Sequence, residues 1–148
     1  MLGFPQIKVA INVLAYQFRH GQYLTEVISQ SLKKYNFPAE LFALELTESI
    51  LTDDINETLK TIDSIRDLGI TLVIDDFGTG YSSLSYLKQF PIDVLKIDQS
   101  FIRDITNDVS DKAIVSAIIA MAKQLGIDVL AEGFETLEHP LFFTRLSS

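Results

Sequence analysis

The repeated alternation of short apolar runs with amphipathic segments is the feature of this sequence that most constrains its fold. Five apolar runs contain few polar residues, as strands that are buried on both faces do. They are Val9–Val13, Leu41–Leu46, Thr71–Ile74, Val94–Ile97 and Val129–Ala131. The segments between them carry apolar residues at helical spacing. A β-α order that repeats about five times predicts a parallel sheet with helices outside it.

Four of these segments have the pattern of helices that pack one face against the sheet. Their marker positions are Leu24, Ile28, Leu32 and Tyr35, then Leu59, Ile62, Ile65 and Leu68, then Ile114, Ile118, Met121 and Leu125, with a shorter helix at Ser82–Phe90. Asn36, Gly69 and Gly126 are the expected helix-ending residues. Asp54 with Glu57 resembles a capping box at the start of the second helix.

The repeat favours a barrel over an open doubly wound sheet. No Gly-x-Gly-x-x-Gly motif follows the first strand, so a dinucleotide-binding sheet has no support. A full (β/α)8 barrel takes roughly 250 residues, whereas this chain has 148. We therefore expect an α/β chain that forms an incomplete TIM-type barrel of about five βα units, as one domain over residues 1–148.

Composition excludes several classes of function. The chain has no cysteine and only two histidines, so thiolate and histidine-rich metal sites are excluded. Its net charge of −8 argues against binding to a nucleic acid polymer. The start has no secretory pattern, and the apolar run Ala113–Ala122 is too short to span a bilayer. We expect a cytoplasmic domain, although a longer native protein could be tethered to a membrane.

Polar residues follow each strand at the point where it ends. They are Asn12, then Glu45 and Glu48, then Asp75 and Asp76, then Lys96 and Asp98, and finally Glu132 and Glu135. One such residue alone is most often a helix cap or a solvated group. In a barrel, however, all these ends share one rim, where active sites lie. The pattern over five strands therefore favours a site, with Glu48, Asp98 and Glu135 as supporting groups.

Ligand chemistry indicates what that site would hold. Carboxylate and amide oxygens suit Mg²⁺ or Mn²⁺. The adjacent Asp75 and Asp76 could contact two ions roughly 3.5–4 Å apart, the separation used in two-metal hydrolysis. Lys96 could hold the attacking water or a phosphate oxygen. The Gly78–Gly80 segment reads as a flexible loop, since no Lys-Ser/Thr follows to make a Walker A motif.

These motifs resemble the EAL-domain family of cyclic di-GMP phosphodiesterases over nearly the whole chain. The most specific run begins at Asp75 and reads Asp-Asp-Phe-Gly-Thr-Gly-Tyr-Ser-Ser-Leu, through Leu84. The other matching segments are Ile11–Ala15, Glu45–Glu48, Leu95–Asp98 and Ala131–Thr136. Leu14 stands where the family usually has a serine. The family's Glu-Ala-Leu motif, its first strand and its last strand are absent, so the resemblance implies a partial domain.

The resemblance implies roles for individual residues. Asn12, Glu45, Asp75 and Glu132 resemble metal ligands, and Asp76 resembles the ligand of the second ion. Lys96 resembles the catalytic lysine, and Glu48 the glutamate that steadies the loop containing Gly78, Thr79 and Gly80. The implied reaction is attack of a metal-activated water on one phosphodiester of cyclic di-GMP, which gives the linear dinucleotide. The family also implies homodimers, and sensor or diguanylate-cyclase-like domains in a longer protein.

Other functions stay open on the sequence alone. The retained Asp75, Asp76 and Lys96 favour a hydrolase, although the missing segments predict that this chain by itself is weak or inactive. An EAL-like cyclic di-GMP receptor or a protein-interaction module in bacterial signalling is the alternative. A metal-free structural domain is the least favoured, because structural repeats do not need a convergent polar rim.

Overall fold

The computed structural model describes residues 6–52, 54–79, 87–103, 105 and 107–133. Strands and helices alternate along these residues. In chain order they are β1 (Val9–Val13), α1 (Ala15–Phe18), α2 (Gly21–Tyr35), β2 (Phe42–Thr47), α3 (Ile55–Arg66), β3 (Thr71–Phe77), β4 (Val94–Ile97), α4 (Gln99–Arg103), α5 (Val109–Leu125) and β5 (Asp128–Ala131). Short 3-10 turns lie at Ala39–Leu41 and Glu48–Thr52.

The five described strands form one sheet in the order β1-β2-β3-β4-β5, and every neighbouring pair is parallel. Each strand thus pairs with the next strand of the chain, which is how consecutive units of a (β/α) barrel are arranged. The expected α/β architecture of about five parallel βα units is confirmed. The largest difference in strand bounds is in β3, which continues beyond Ile74 through Asp75 and Asp76 to Phe77.

Burial of the strands depends on their place in the sheet. The central strands β2, β3 and β4 carry most of the buried strand residues, including Leu44, Leu72 and Leu95. In β1 only Val13 is buried, and in β5 no residue is fully buried. The prediction that all five strands are buried on both faces is therefore wrong for β1 and β5. In the described sheet, each of these two strands has a neighbour on one side only.

Local signals set the ends of α2 and α5 as expected, whereas α3 ends at Arg66, three residues before the predicted Gly69. Asn36, the residue after α2, has a left-handed φ of 48°, and Gly126 after α5 has a φ of 69°. Asp54 caps α3 by accepting hydrogen bonds from the N–H groups of Asn56 at 3.0 Å and Glu57 at 3.2 Å. The carboxylate of Glu57 pairs with Lys60 at 2.7 Å. These caps end the helices where the chain must turn back to the sheet.

Periodicity located the helices better than it located their buried faces. In α5 the buried residues are Val115, Ile118, Ile119 and Ala122, whereas Ile114, a predicted marker, is 39% exposed. The run Ala113–Ala122 is apolar on most sides, so its pattern does not fix a phase. Tyr35 in α2 is also exposed, unlike Ile28.

The remaining predictions about helices have mixed outcomes. The predicted helix Ser82–Phe90 lies mostly outside the described residues. The short helices α1 and α4 had no periodic signal, because four or five residues are too few to show one. Within the described part of the chain, no helix is both long enough and apolar enough to cross a membrane.

Candidate active site

Strand register brings the predicted strand-end residues to one face of the sheet. Asn12 is aligned with Glu45, and Glu45 with Val73. Since side chains alternate along a strand, Asp75 lies on the same face as Val73, two residues before it. Val73 is aligned with Val94, so Lys96, two residues after Val94, lies on the same face. Lys96 is aligned with Leu130, so Glu132, two residues after Leu130, lies there too. The carboxyl ends of five parallel strands therefore carry their polar groups toward one region.

A bulge in β3 adds Asp76 to this face. The β3-β4 register shifts between Ile74 and Phe77, so that Asp75 and Asp76 together lie opposite Lys96. Asp76 has a φ of +54°, in the left-handed region that a non-glycine residue seldom adopts. Its side chain contacts that of Asp98, which lies two residues beyond Lys96 and on the same face. Without the extra residue, alternation would point Asp76 to the opposite face.

Lys96 lies at the centre of the cluster. Its Nζ is 2.9 Å from Glu132 Oε1, 3.1 Å from Asp75 Oδ1 and 3.3 Å from Glu45 Oε1. The lysine side chain is 7% exposed, while those of Glu45 and Asp75 are 15% and 18% exposed. Glu132 is 53% exposed and closes the cluster on the solvent side. Three carboxylates thus surround one ammonium, which leaves the cluster with a net negative charge.

The protonation of Lys96 follows from this arrangement. Burial alone would lower the pKa of Lys96, but hydrogen bonds to Glu132 and Asp75 and the negative charges of Asp75 and Glu45 outweigh burial. The net result is that the pKa of Lys96 is raised above its ordinary value. Lys96 therefore keeps its proton and its positive charge throughout the neutral range.

Asp76 and Asp98 form a second acidic pair beside this cluster. Although Asp76 is exposed, partial dehydration of its carboxyl group, the charge of Asp75 and the contact with Asp98 raise the pKa of Asp76 above its ordinary value. Hydrogen bonding from Ser100 lowers the pKa of Asp98, against the opposing effect of burial. The backbone N–H of Ser100 donates to Asp98 Oδ1 at 2.8 Å. Like charges held this closely disfavour full ionisation until a cation offsets them.

The turn after β3 is held by two further polar contacts. The N–H of Gly78 donates to Glu48 Oε2 at 3.1 Å, and Glu48 is buried although it is a charged residue. The hydroxyl of Thr79 donates to the carbonyl oxygen of Asp76 at 2.8 Å. Gly78 has a φ of +102°, which favours glycine. The turn that follows Asp76 is therefore tied both to the segment after β2 and to itself.

The donor chemistry of the cluster fits a hard divalent cation. Three carboxylate oxygens converge within 3.3 Å of one point, which is the position of Lys96 Nζ. Oxygen ligands of this kind suit Mg²⁺ or Mn²⁺. Within the described ranges, no group of three or more acidic or histidine side chains is already arranged around a metal-sized point.

The structure brings most of the sequence-predicted site residues together. Glu45, Asp75, Asp76, Lys96, Asp98 and Glu132 share the cluster or its border, and Asn12 lies beside Glu45 in register. Glu48, Gly78 and Thr79 form the turn beside them. Gly80 and Glu135 lie outside the described residues. Sequence reasoning missed the bulge, for which adjacent aspartates give no signal, and it missed the packing of Phe101 against Gly78.

Comparison with known proteins agrees with this geometry. The EAL domain family matches residues 1–146. The signaling protein YkoW of Bacillus subtilis is 50% identical over 129 residues, which cover 87% of this chain and 16% of YkoW. The cyclic di-GMP phosphodiesterase NbdA of Pseudomonas aeruginosa is 42% identical over 142 residues, 96% of this chain and 18% of NbdA.

A solved structure of a related protein is similar to this chain in fold. The manganese and cyclic di-GMP complex of Klebsiella pneumoniae BlrP1 matches with a TM-score of 0.85 and 33% identity, over 95% of this chain and 36% of BlrP1. The chain thus spans less than a fifth of the length of YkoW and NbdA. Because the family match covers nearly every residue, and the parallel sheet and its polar rim agree with it, the chain belongs to the EAL domain family.

Proposed function

We propose that the domain represented by residues 1–148 hydrolyses one phosphodiester bond of cyclic di-GMP and gives the linear dinucleotide. The observation that carries this proposal is the cluster of Lys96 with Glu45, Asp75 and Glu132 at the carboxyl ends of parallel strands. A net negative cluster repels a phosphodiester unless cations are present. The cluster therefore suits metal-assisted hydrolysis better than direct anion binding.

The choice of substrate rests on the relatives. NbdA is named a cyclic di-GMP phosphodiesterase, and BlrP1 was solved with manganese and cyclic di-GMP. This chain shares 42% and 33% of its aligned residues with them. The acidic surface, with a net charge of −8, makes a small cyclic dinucleotide a better substrate than a nucleic acid polymer.

Two divalent ions, Mg²⁺ or Mn²⁺, are the proposed cofactors. Asn12, Glu45, Asp75 and Glu132 would hold one ion, and Asp76 would contribute to the second. When bound, such ions supply positive charge to a phosphate and make water more acidic. The bulge supports this assignment, since it turns Asp76 to the same face as Asp75.

Lys96 is proposed to act as a hydrogen-bond donor and not as a base. Its raised pKa means that it is already protonated at neutral pH and cannot accept a proton from water. Its ammonium group can donate to the attacking water or to a phosphate oxygen. The charge that develops on phosphate oxygens would then be stabilised by a donor already aimed at the site.

Supporting roles are proposed for the residues around the cluster. Glu48 holds the turn through Gly78, and Thr79 holds the carbonyl of Asp76. Asp98 orients Asp76 by side-chain contact. The roles of Gly80 and Glu135 stay predictions from the sequence.

The test is calorimetric titration of this chain with Mn²⁺, followed by titration with cyclic di-GMP and by chromatography of the products. Wild type should bind Mn²⁺, and Asp75→Asn should lose most of that affinity. Asp93→Asn is a matched control, because Asp93 lies at the opposite end of β4 and accepts a hydrogen bond from Leu72 N–H. A chain that binds neither Mn²⁺ nor cyclic di-GMP would contradict the proposal. Binding of both without any product, in a longer protein with the complete domain as well as in this chain, would favour a receptor instead.

A second copy of the chain is the proposed partner at β1. Val9 and Ile11 of this strand are 42% and 47% exposed, although both are apolar. With α2 they line an apolar groove of about 410 Å³ that also includes Val27 and Phe42. Exposed apolar strands at the end of a sheet favour self-association. Light scattering after size exclusion should detect a dimer, and Ile11→Lys should shift it toward monomer. A wild-type monomer at all concentrations would contradict this part.

Longer proteins that contain this domain are proposed to join it to sensor or diguanylate-cyclase-like domains. The support is that the chain covers only 16% to 22% of its curated relatives, one of which is named a bifunctional diguanylate cyclase and phosphodiesterase.

A further inference from the structure

The turn after β3 packs against a helix that the proposed chemistry does not use. Helix α4 begins directly after the strand that carries Lys96, and its Phe101 ring lies against Gly78. A Cβ added at Gly78 would be 3.0 Å from Cε2 of Phe101 and 3.5 Å from Cδ1 of Ile118. The backbone at Gly78 therefore touches the edge of the ring, with no space for a side chain between them.

Gly78 also makes a polar contact. The N–H of Gly78 donates to the buried carboxylate of Glu48, at 3.1 Å, while the edge of the Phe101 ring occupies the space that a side chain at Gly78 would need. Phe101 itself is held in place, because its own N–H donates to the carbonyl oxygen of Asp98 at 3.2 Å. Gly78 is thus fixed between a hydrogen-bond acceptor from the β2 side and an aromatic ring from the β4 side.

The two contacts of Gly78, with Glu48 and with Phe101, form a clamp. This clamp matters because a strained residue, Asp76, lies two positions upstream of Gly78. Asp76 keeps a φ of +54° that its sequence alone would not select. The bulge and the turn share the residues from Asp75 to Gly78, so the chain path at Gly78 limits the path at Asp76. If Gly78 moved away from Glu48, the bulge could relax into a regular strand. Alternation would then turn the carboxylate of Asp76 away from Lys96 and Asp98.

We propose that Phe101 is a positioning residue, whose ring presses Gly78 onto Glu48 and thereby keeps Asp76 in the bulged conformation that faces the site. Phe101 acts through Gly78 and touches no reacting group. The consequence for metal binding rests on the proposed function, because it takes Asp76 as a ligand. The effect of Phe101 on the conformation of the turn at Gly78 is expected in the metal-free protein as well.

The first measurement is amide hydrogen exchange in the metal-free protein, by NMR. Phe101→Leu should speed exchange of the Gly78 amide by about tenfold, because the N–H loses the ring that holds it on Glu48. Phe42→Leu is the matched control, and all variants are compared at a concentration where wild type is monomeric, because Phe42 lines the proposed groove at β1. Phe42 is also a partly buried phenylalanine, but it lies at the start of β2 and packs edge-on against Phe37, with ring centroids 6.4 Å apart. The control should leave Gly78 exchange unchanged.

The second measurement is Mn²⁺ affinity by calorimetry, with melting temperature recorded for each variant. Phe101→Leu should weaken Mn²⁺ binding by roughly tenfold, as changes in groups that orient a metal ligand commonly do. Phe42→Leu should bind Mn²⁺ as wild type does, even if it melts lower. Equal losses of affinity in the two variants would mean that general destabilisation is the cause, and would overturn the proposal.

A double-mutant cycle isolates the contact. Gly78→Ala is strained by its φ in any background, but its added Cβ meets the ring only when Phe101 is present. The penalty of Gly78→Ala on melting temperature should therefore be smaller in Phe101→Ala than in wild type. Equal penalties, or unchanged Gly78 exchange in Phe101→Leu, would overturn the proposal. If wild type binds no Mn²⁺, the proposed function fails, while the exchange data still decide the role of Phe101.

Discussion

Replacing Lys96 by methionine should destabilise the metal-free protein strongly. The side chain keeps its length but loses its charge, so Glu45 and Asp75 are left facing each other in a region where each is less than a fifth exposed. Removing one partner of a buried ion pair costs about 3–5 kcal/mol. Glu132 is 53% exposed and adds little, since solvent screens it. We therefore take the lower figure, about 3 kcal/mol.

The assay is thermal unfolding in EDTA. For a domain of this size, each kcal/mol moves the melting temperature by roughly 2–4 °C, so Lys96→Met should melt about 6–12 °C below wild type. Millimolar Mn²⁺ should narrow this gap, because an ion among the carboxylates would replace the lost positive charge. The gap should be constant between pH 6 and about pH 9. The pKa of Lys96 is raised on folding, so its contribution is fully present below the ordinary lysine pKa of about 10.4 and is lost only as pH rises through the raised value.

Lys60→Met tests whether the burial of an ion pair, and not the distance between its charged atoms, decides the loss of stability. The Nζ of Lys60 is 2.7 Å from Glu57 Oε1, closer than any contact of Lys96, but both side chains are about 70% exposed. The Lys60 variant should melt as wild type does, because exposed ion pairs contribute little. A melting temperature for Lys96→Met within about 2 °C of wild type in EDTA, or an equal loss for the two variants, would refute the reasoning.

Three further predictions concern Asp76 and Asp75, at the carboxyl ends of the strands, and Asp93, at the opposite end of β4. Asp76→Asn should raise the melting temperature in EDTA, since the raised pKa of Asp76 shows that its charge is disfavoured there, yet it should reduce the stabilisation by Mn²⁺. This gain in melting temperature should vanish as pH falls and Asp76 of the wild type becomes protonated. A variant that melts below wild type at neutral pH would contradict the prediction. In a longer protein that contains the complete domain, Asp75→Asn should abolish most hydrolysis of cyclic di-GMP, measured by chromatography, while circular dichroism stays unchanged. Asp93→Ala should cost about 1–3 kcal/mol in urea unfolding, because Leu72 N–H loses its acceptor at 2.8 Å, with Mn²⁺ affinity unaltered.

Local structure was readable from neighbouring residues. Apolar runs predicted all five strands, because the signal of a buried strand lies within four to seven consecutive residues. Asp54 and Gly126 marked helix ends through bonds to residues two to four positions away. The acidic character of the cluster was also readable, since the side chains at the strand ends depend only on residue identity and on the position of each strand.

Burial required the tertiary structure, because a run of apolar residues does not say how many neighbours it has. Val9–Val13 resembles a central strand in sequence but lies at one end of the described sheet, where four of its five residues are exposed. The uniform apolarity of Ala113–Ala122 left the buried face of α5 undetermined, and packing selected Val115 over Ile114.

The sequence by itself determined the strands, the caps and the polar side chains at the strand ends, since each depends on residues close together in the chain. Only the tertiary structure decided which of these side chains meet. Lys96 and Glu45 are 51 residues apart, and their contact depends on the registers of three strands together. The bulge that turns Asp76 to the face of Lys96 lies in the pairing of β3 with β4. Such long-range constraints leave no local pattern, because each partner is specified by a distant part of the chain.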